Sequence, residues 1–88
     1  MVTNIFRRPV TVFSEESRRF HIIATVSDAS DFLFDHWAEN DSELWMRALD
    51  ACAGALRGLT KTEEAHRAFA DAVHEAGINT SLTGMRHR

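Results

Sequence analysis

The chain has one cysteine, one proline, four glycines and no tyrosine among its 88 residues. A lone cysteine, Cys52, cannot form an intramolecular disulfide, which excludes a disulfide-rich scaffold and is typical of a reducing compartment. The low proline and glycine content excludes collagen-like and Pro/Gly-rich low-complexity sequence. Apolar runs stay well short of the roughly 18–20 residues that a transmembrane helix requires. The first ten residues lack the apolar core of a signal peptide, so we expect a cytoplasmic protein without membrane contact.

The composition, with 44% hydrophobic and 26% charged residues, is that of a soluble globular protein. A chain of this length forms one domain and must commit most of its large apolar side chains to a small core. Few of them remain to line a deep substrate pocket. We therefore expect a single domain over residues 1–88, with an ordered core at about 6–78 and a flexible C-terminal tail at 79–88.

The net charge of −3 is unevenly distributed along the chain. Residues 1–26 carry four arginines and two glutamates, residues 27–59 carry seven acids and two arginines, and residues 60–88 are balanced. A basic front and an acidic middle can pair within one molecule or between two. With a pI near 5.9, the overall charge does not favour nucleic acid as a partner.

Two N-terminal segments alternate between apolar and polar residues, as strands do. Residues 9–13 predict a short strand and residues 19–26 predict a second one, which together form a hairpin. In the second strand, Phe20, Ile22, Ala24 and Val26 fall on one face. Because an isolated hairpin is only marginally stable in water, we expect this apolar face to pack on helices.

Three helices are predicted to follow, each with apolar residues at helical spacing. The predicted N-caps are Ser27, Ser42 and Thr60, the last at the start of a T-x-x-E capping box. Gly58 and Gly77 are predicted to end the second and third helices. The predicted stripe positions are Ala29, Phe32, Leu33, His36 and Trp37 in the first helix, Trp45, Ala48, Leu49, Cys52, Ala53 and Leu56 in the second, and Ala65, Phe69, Ala72, Val73 and Ala76 in the third. The predicted fold class is α+β, with an N-terminal two-stranded antiparallel β-hairpin packed on three α-helices.

The chain resembles a bacterial family, found largely in rhizobia and their relatives, that is known as domain of unknown function 982. The resemblance covers about residues 6–78, and Ala38 stands where members of the family often have proline. Because the matching residues are mostly packing residues, the resemblance implies a fold and brings no activity, substrate or catalytic residue. The residues that carry it are Pro9, Val10, Thr11, Val12, Trp37, Ala48, Leu49, Asp50, Ala51, Cys52, Leu56, Gly58, Ala65, Phe69, Ala72, Ala76, Gly77 and Ile78.

The residues with catalytic or metal-binding chemistry do not form a recognisable site in the sequence. Cys52 lies inside an apolar stripe, where a thiol acts as a small hydrophobic side chain. His66 and His74 are about 12 Å apart along one helix, too far for one ion, and pairs such as His36 with Glu39 supply only two ligands. The chain also lacks the G-x-S-x-G, P-loop and G-x-G-x-x-G motifs. We therefore predict no metal, no cofactor and no catalytic residue, and we do not expect an enzyme.

Four arginines are the first candidates for an interaction surface. The predicted hairpin places Arg7 and Arg8 close to the end of the second strand and Arg18 and Arg19 near its turn, so the four need not form one patch. Charges at strand edges commonly prevent aggregation, and they can also contact an acidic protein surface. Nucleic acid is disfavoured as their partner because aromatic residues that could stack on bases are not interleaved with them.

Trp37 and Trp45, which flank the connection between the first two helices, are the second candidates. Tryptophans at such positions are commonly buried, but an exposed one beside the acidic Glu39, Asp41 and Glu43 could recognise a protein or a small cation.

Two functional hypotheses follow from these features. The leading one is a small cytoplasmic, non-catalytic module that binds another protein or self-associates as a homodimer through the open edges of its sheet. The alternative is a small-ligand-binding or regulatory domain that uses the Trp37–Trp45 region. The two differ in whether the tryptophans are accessible and in what covers the strand edges.

Overall fold

The computed structural model describes residues 4–14, 18–37, 40, 42–78 and 80–82. The elements are β1 (Ile5–Ser14), β2 (Arg19–Thr25), α1 (Val26–Asp35), α2 (Glu43–Leu56), α3 (Thr62–Glu75) and β3 (Thr80–Leu82). The strands form one antiparallel sheet in the order β2-β1-β3, whose inner face contributes to the same core as the helices. This arrangement confirms the predicted α+β fold, with an antiparallel strand pair followed by three helices.

A third strand adds to the predicted hairpin. Residues 80–82, within the segment predicted as a tail, pair with residues 10–12 of β1 as β3. The rest of that segment, residues 79 and 83–88, lies outside the described residues. The pairing makes β1 the central strand, so one of the two edges expected to be open is partly covered. A three-residue strand has too little alternation to be recognised locally.

The first strand begins earlier than predicted and is irregular. It starts at Ile5 rather than at Pro9, and its register shifts because Ile5 pairs with Thr25 whereas Val10 pairs with Ile23. Four residues of β1 therefore lie opposite one residue of β2. Proline lacks an N–H group for the strand ladder, and such an irregular stretch is where a strand tolerates it.

The face of β2 that packs on the helices is the opposite of the predicted one. Ile23 is buried in the core, whereas Phe20 is 69% exposed and Ile22 is 67% exposed on the outer face. The register decides this, because Ile23 lies opposite the buried Val10 and opposite residues of an antiparallel pair share a face. Val26 is buried as predicted, but as the first residue of α1 rather than as part of the strand.

The junction between β2 and α1 also differs from the prediction. The N-cap of α1 is Thr25, not Ser27, and the Thr25 Oγ1 accepts a hydrogen bond from the Asp28 N–H at 3.0 Å. The Asp28 carboxylate in turn accepts from the Ala24 N–H at 3.2 Å. The two reciprocal bonds resemble a capping box, with the aspartate reaching one residue further back than usual. The helix therefore begins directly after the last strand residue.

The second helix begins as predicted, and its buried stripe is slightly rotated from the predicted one. Ser42 is the N-cap, and its Oγ accepts from the Trp45 N–H at 3.2 Å. The buried stripe includes Ala55, whereas Ala53 and Leu56 are exposed. Gly58, which follows this helix, has a φ of 79°, a value that glycine adopts without steric cost. The buried positions of α2 are Trp45, Ala48, Cys52 and Ala55.

The third helix has the predicted buried stripe but a different start. Its N-cap is Lys61, whose side chain has no acceptor atom, so the predicted capping box at Thr60 is wrong. Thr62 instead donates its hydroxyl hydrogen to Asn4 Oδ1 at 2.9 Å, which ties the start of α3 to the start of β1. Gly77 has a φ of 80° at the end of the helix, as predicted. The buried positions are Ala65, Phe69, Ala72 and Val73.

Within the described ranges, none of the helices combines the length and apolarity needed to span a membrane.

The first prediction concerns the cap of α1. We expect Thr25→Ala to lower the free energy of unfolding by about 1 kcal/mol, because the Asp28 N–H loses its acceptor. Ser27→Ala, the matched control, removes a hydroxyl from an exposed helical position and should change stability by less than about 0.5 kcal/mol. Urea unfolding at one fixed protein concentration measures both. A larger loss for Ser27→Ala than for Thr25→Ala would contradict the observed cap.

Candidate functional site

The outer face of the sheet carries an apolar surface, which we call the outer patch and define as Phe13, Phe20 and Ile22. Phe13 lies opposite Phe20 in the β1–β2 pair, with ring centroids 5.0 Å apart at an interplanar angle of 60°. Phe13 is half-buried, and the other two side chains are largely exposed. Neighbouring exposed apolar side chains on a sheet are typical of interaction surfaces, whereas single exposed ones are common on any protein.

The outer patch lies next to a strand edge. Within the described part of the chain, β2 pairs with β1 alone, so its other side is an edge of the sheet. Two features bound this edge. At one end, Arg18 has a φ of 56° and leaves the extended conformation, and at the other end the Ala24 N–H is hydrogen-bonded to Asp28. The extended edge therefore runs over residues 19–23.

An acidic groove lies beside this edge, between β2 and α1. It has a volume of about 470 Å³, and its α1 side carries the carboxylates of Asp28, Asp31 and Asp35. Phe20 and Phe32 both line it, and the His36 ring stacks on Phe32 with a centroid distance of 4.2 Å. His36 Nδ1 donates to the Phe32 carbonyl oxygen at 3.0 Å, so this histidine is oriented by the backbone. The groove can attract a cationic group to the edge of the sheet.

The four candidate arginines lie at two ends of the β1–β2 pair. Arg7 and Arg8 are in the irregular part of β1, two and three residues after Ile5, which pairs with the last residue of β2. Arg18 and Arg19 lie at the turn. All four are exposed. They form two separate basic regions, and only the second borders the edge of β2.

A second groove, of about 630 Å³, lies between Arg7 and Arg8 and the start of α3. Arg7 Nη2 is 3.7 Å from Glu63 Oε2, and both side chains are largely exposed, so this ion pair contributes little to stability. His66 Nε2 donates to the Arg8 carbonyl oxygen at 3.1 Å, and its ring meets the Phe6 ring edge-on at 4.8 Å. The His66 contacts join α3 to β1.

The two tryptophans have opposite environments. Trp45 is fully buried, and its Nε1–H donates to the Leu33 carbonyl oxygen at 2.9 Å. Trp37 is 39% exposed and lies edge-on to the exposed Phe34, with centroids 6.3 Å apart. A ligand can therefore reach Trp37 but not Trp45. Of the acidic neighbours considered with them, Glu39 and Asp41 lie outside the described residues, as does Ala38.

Cys52 is fully buried in the core, among the helices. Burial raises the pKa of its thiol to about 11, because the thiolate would lose its hydration. A nucleophilic or metal-binding cysteine needs the thiolate and access to solvent. The buried position agrees with the packing role predicted from the sequence.

Among the described residues, no group of three or more His, Cys, Asp or Glu side chains is placed to hold a metal ion. Of the described histidines, His21 and His36 both line the acidic groove and have ring contacts with Phe32, whereas His66 and His74 lie on α3.

The fold and these surfaces define a small α+β domain with an apolar sheet face and an acidic groove beside it. Residues 8–80 match the model of a family described as "Protein of unknown function (DUF982)". Since the match spans most of the chain, the protein belongs to this family. No curated protein and no solved structure matches the chain.

The outer patch differs from the expectation for β2. Alternation that includes Val26 predicts Phe20 and Ile22 on the inner face, whereas both lie on the outer face. The pattern Thr25-x-x-Asp28 is the signal that could have corrected this, since an N-cap at Thr25 assigns Val26 to the helix. Once Val26 is assigned to the helix, the face of β2 that is buried depends on the pairing of β2 with β1.

The second prediction concerns Cys52. We expect its thiol to remain unreactive toward iodoacetamide at neutral pH in the folded protein and to react once urea unfolds the chain. Because the folded-state pKa is about 11 and the ordinary value is 9.0, this group favours the folded state below pH 9. That contribution should be lost as the pH rises from about 9 to about 11. Rapid modification of the folded protein at neutral pH would contradict the burial of this side chain.

Proposed function

We propose that the protein is a small cytoplasmic, non-catalytic interaction module that self-associates as a homodimer through the β2 side of its sheet. The observation that carries this proposal is the outer patch, because it puts Phe20 and Ile22 largely into solvent on an edge strand. Edge strands are pairing sites, and soluble proteins usually shorten, charge or cover them. Here the edge is apolar on its outer side, and within the described residues no further strand pairs with it.

Association would remove part of the exposed apolar surface of Phe20 and Ile22 from water. Each Å² of apolar surface removed contributes roughly 25 cal/mol, and a dimer would contain two copies of each side chain. Only part of this appears as affinity, because association also costs translational, rotational and side-chain freedom. Backbone hydrogen bonds along the strand edge would add to the apolar contact and give it specificity.

The burial of Cys52 supports a non-catalytic role, because a nucleophilic thiol needs access to solvent. Trp45 is fully buried in the core as well. The burial of Trp45 also removes half of the aromatic surface on which a ligand site in the Trp37–Trp45 region would depend. Homodimerisation therefore has the better physical support of the two functional hypotheses.

The third prediction tests the dimer. We expect sedimentation equilibrium to give a mass that rises from one chain to two as the concentration increases. Phe20→Thr and Ile22→Thr should each raise the dimer dissociation constant at least about tenfold, which corresponds to a loss of about 1.4 kcal/mol. Threonine keeps the β propensity of the strand while removing most of the apolar surface.

Matched controls come from exposed apolar residues away from the sheet. Phe34 on α1 is 59% exposed and Leu59, between α2 and α3, is 73% exposed, so Phe34→Gln and Leu59→Gln remove apolar surface of comparable exposure. Both variants should keep the dissociation constant of the unaltered protein. A one-chain mass at every concentration, or an equal loss of affinity in the controls, would rule out the proposed surface.

A further inference from the structure

We infer that the partner at this surface is β2 of a second copy, paired antiparallel with β2 about a two-fold axis at His21, so that the two sheets become one sheet of six strands. This inference rests on the proposed function and specifies the contact. Three features of β2 support it: the limits of the edge, the side chains on the two faces of the strand and the charges beside the edge.

The limits of the edge set the register. A second strand can pair only with extended backbone whose N–H and C=O groups on that side are available. Residues 19–23 are extended. Arg18 has a positive φ, and the Ala24 N–H is already bonded to Asp28. Two antiparallel copies of a five-residue window overlap completely only when the central residues face each other. The central residue of this window is His21.

This register matches both faces of the strand. Arg19, His21 and Ile23 lie on the inner face, and Phe20 and Ile22 lie on the outer face. In an antiparallel pair centred on His21, Phe20 lies opposite Ile22 of the partner subunit, and the same contact occurs a second time by symmetry. Aromatic and β-branched residues directly opposite each other stabilise a strand pair. The two outer patches thereby become neighbours.

The charges beside the edge favour the same arrangement. In this register Arg19 lies opposite Ile23 of the partner subunit, and Arg18 follows toward the partner's Ala24. The Asp28 carboxylate, which lines the acidic groove, lies next to Ala24 because it accepts from the Ala24 N–H. The arginines at the turn of one copy therefore lie beside the acidic groove of the other copy. That groove also carries Asp31 and Asp35, so cations from the partner reduce the repulsion between the carboxylates. Such exposed pairs contribute to orientation and association rate more than to affinity.

The fourth prediction tests the register by cross-linking. Residues opposite each other in an antiparallel pair have Cα atoms about 4.5–5.5 Å apart, within the range that a disulfide bridges. We therefore expect His21→Cys to form a covalent dimer in high yield on mild oxidation, with loss of two electrons and two protons to the added oxidant. The unaltered protein is the blank, because its only thiol is the buried Cys52.

Two matched variants separate this register from its neighbours. In the inferred pairing Phe20→Cys and Ile22→Cys each lie diagonally from their own copy, at about 7–8 Å, so neither should cross-link with itself. A mixture of the two variants should give the mixed disulfide, because residues 20 and 22 face each other. Self-cross-linking of Phe20→Cys or of Ile22→Cys in place of His21→Cys would overturn the register.

The charge contact is tested with Arg18→Asn, since asparagine tolerates the positive φ at this position. We expect the dissociation constant to rise about two- to fivefold at low salt and the difference to vanish at high salt. Arg8→Asn removes the same charge from the other basic region and should leave the dissociation constant unchanged.

Hydrogen exchange of the unaltered chain gives a reading that needs no substitution. Amides within residues 19–23 should gain protection as the concentration rises into the dimer range, while exposed amides of the α2–α3 connection should not change. A dimer mass without this protection and without the His21→Cys cross-link would overturn the inference and leave the proposed function standing. A one-chain mass at every concentration would overturn both.

Discussion

The junction between β2 and α1 is the constraint on which the rest of the structure depends. Thr25 caps the helix through Asp28, and Asp28 returns a hydrogen bond to the strand at Ala24. The Val26 N–H is bonded to the Asn4 carbonyl oxygen at 2.9 Å, which holds the same point against the start of β1. Because strand and helix meet without a loop, this point fixes the direction of the helix and the end of the β2 edge. Together with the β1–β2 register, it also fixes which face of the strand is buried.

The surface chemistry of the domain follows from that constraint. With Ile23 turned into the core, Phe20 and Ile22 must face outward, since successive strand residues point to opposite faces. The helix that starts at the junction runs beside β2 and brings its carboxylates to the edge. Apolar, acidic and basic groups thus meet at one side of the sheet, whereas the opposite edge of β1 is occupied over residues 10–12 by β3.

The core explains why the chemically distinctive residues do not define a function. Trp45 and Cys52 lie on the buried stripe of α2, and the Trp45 ring is held by the Leu33 carbonyl oxygen. In a domain of 88 residues, nearly every large side chain inside is needed for stability. The residues by which the chain resembles its family are mostly packing residues, and the family itself is described as one of unknown function.

The sequence by itself determined the features that depend on local interactions. The stripe of α3, the cap at Ser42 and the glycines at positions 58 and 77 follow from spacing and backbone preference within a few residues. Only the tertiary structure decided which face of β2 is buried and that residues 80–82 form a strand. Each of these depends on β1, whose pairing with β3 joins residues about seventy positions apart. Alternation alone cannot supply the phase of a strand, because its partner sets the register.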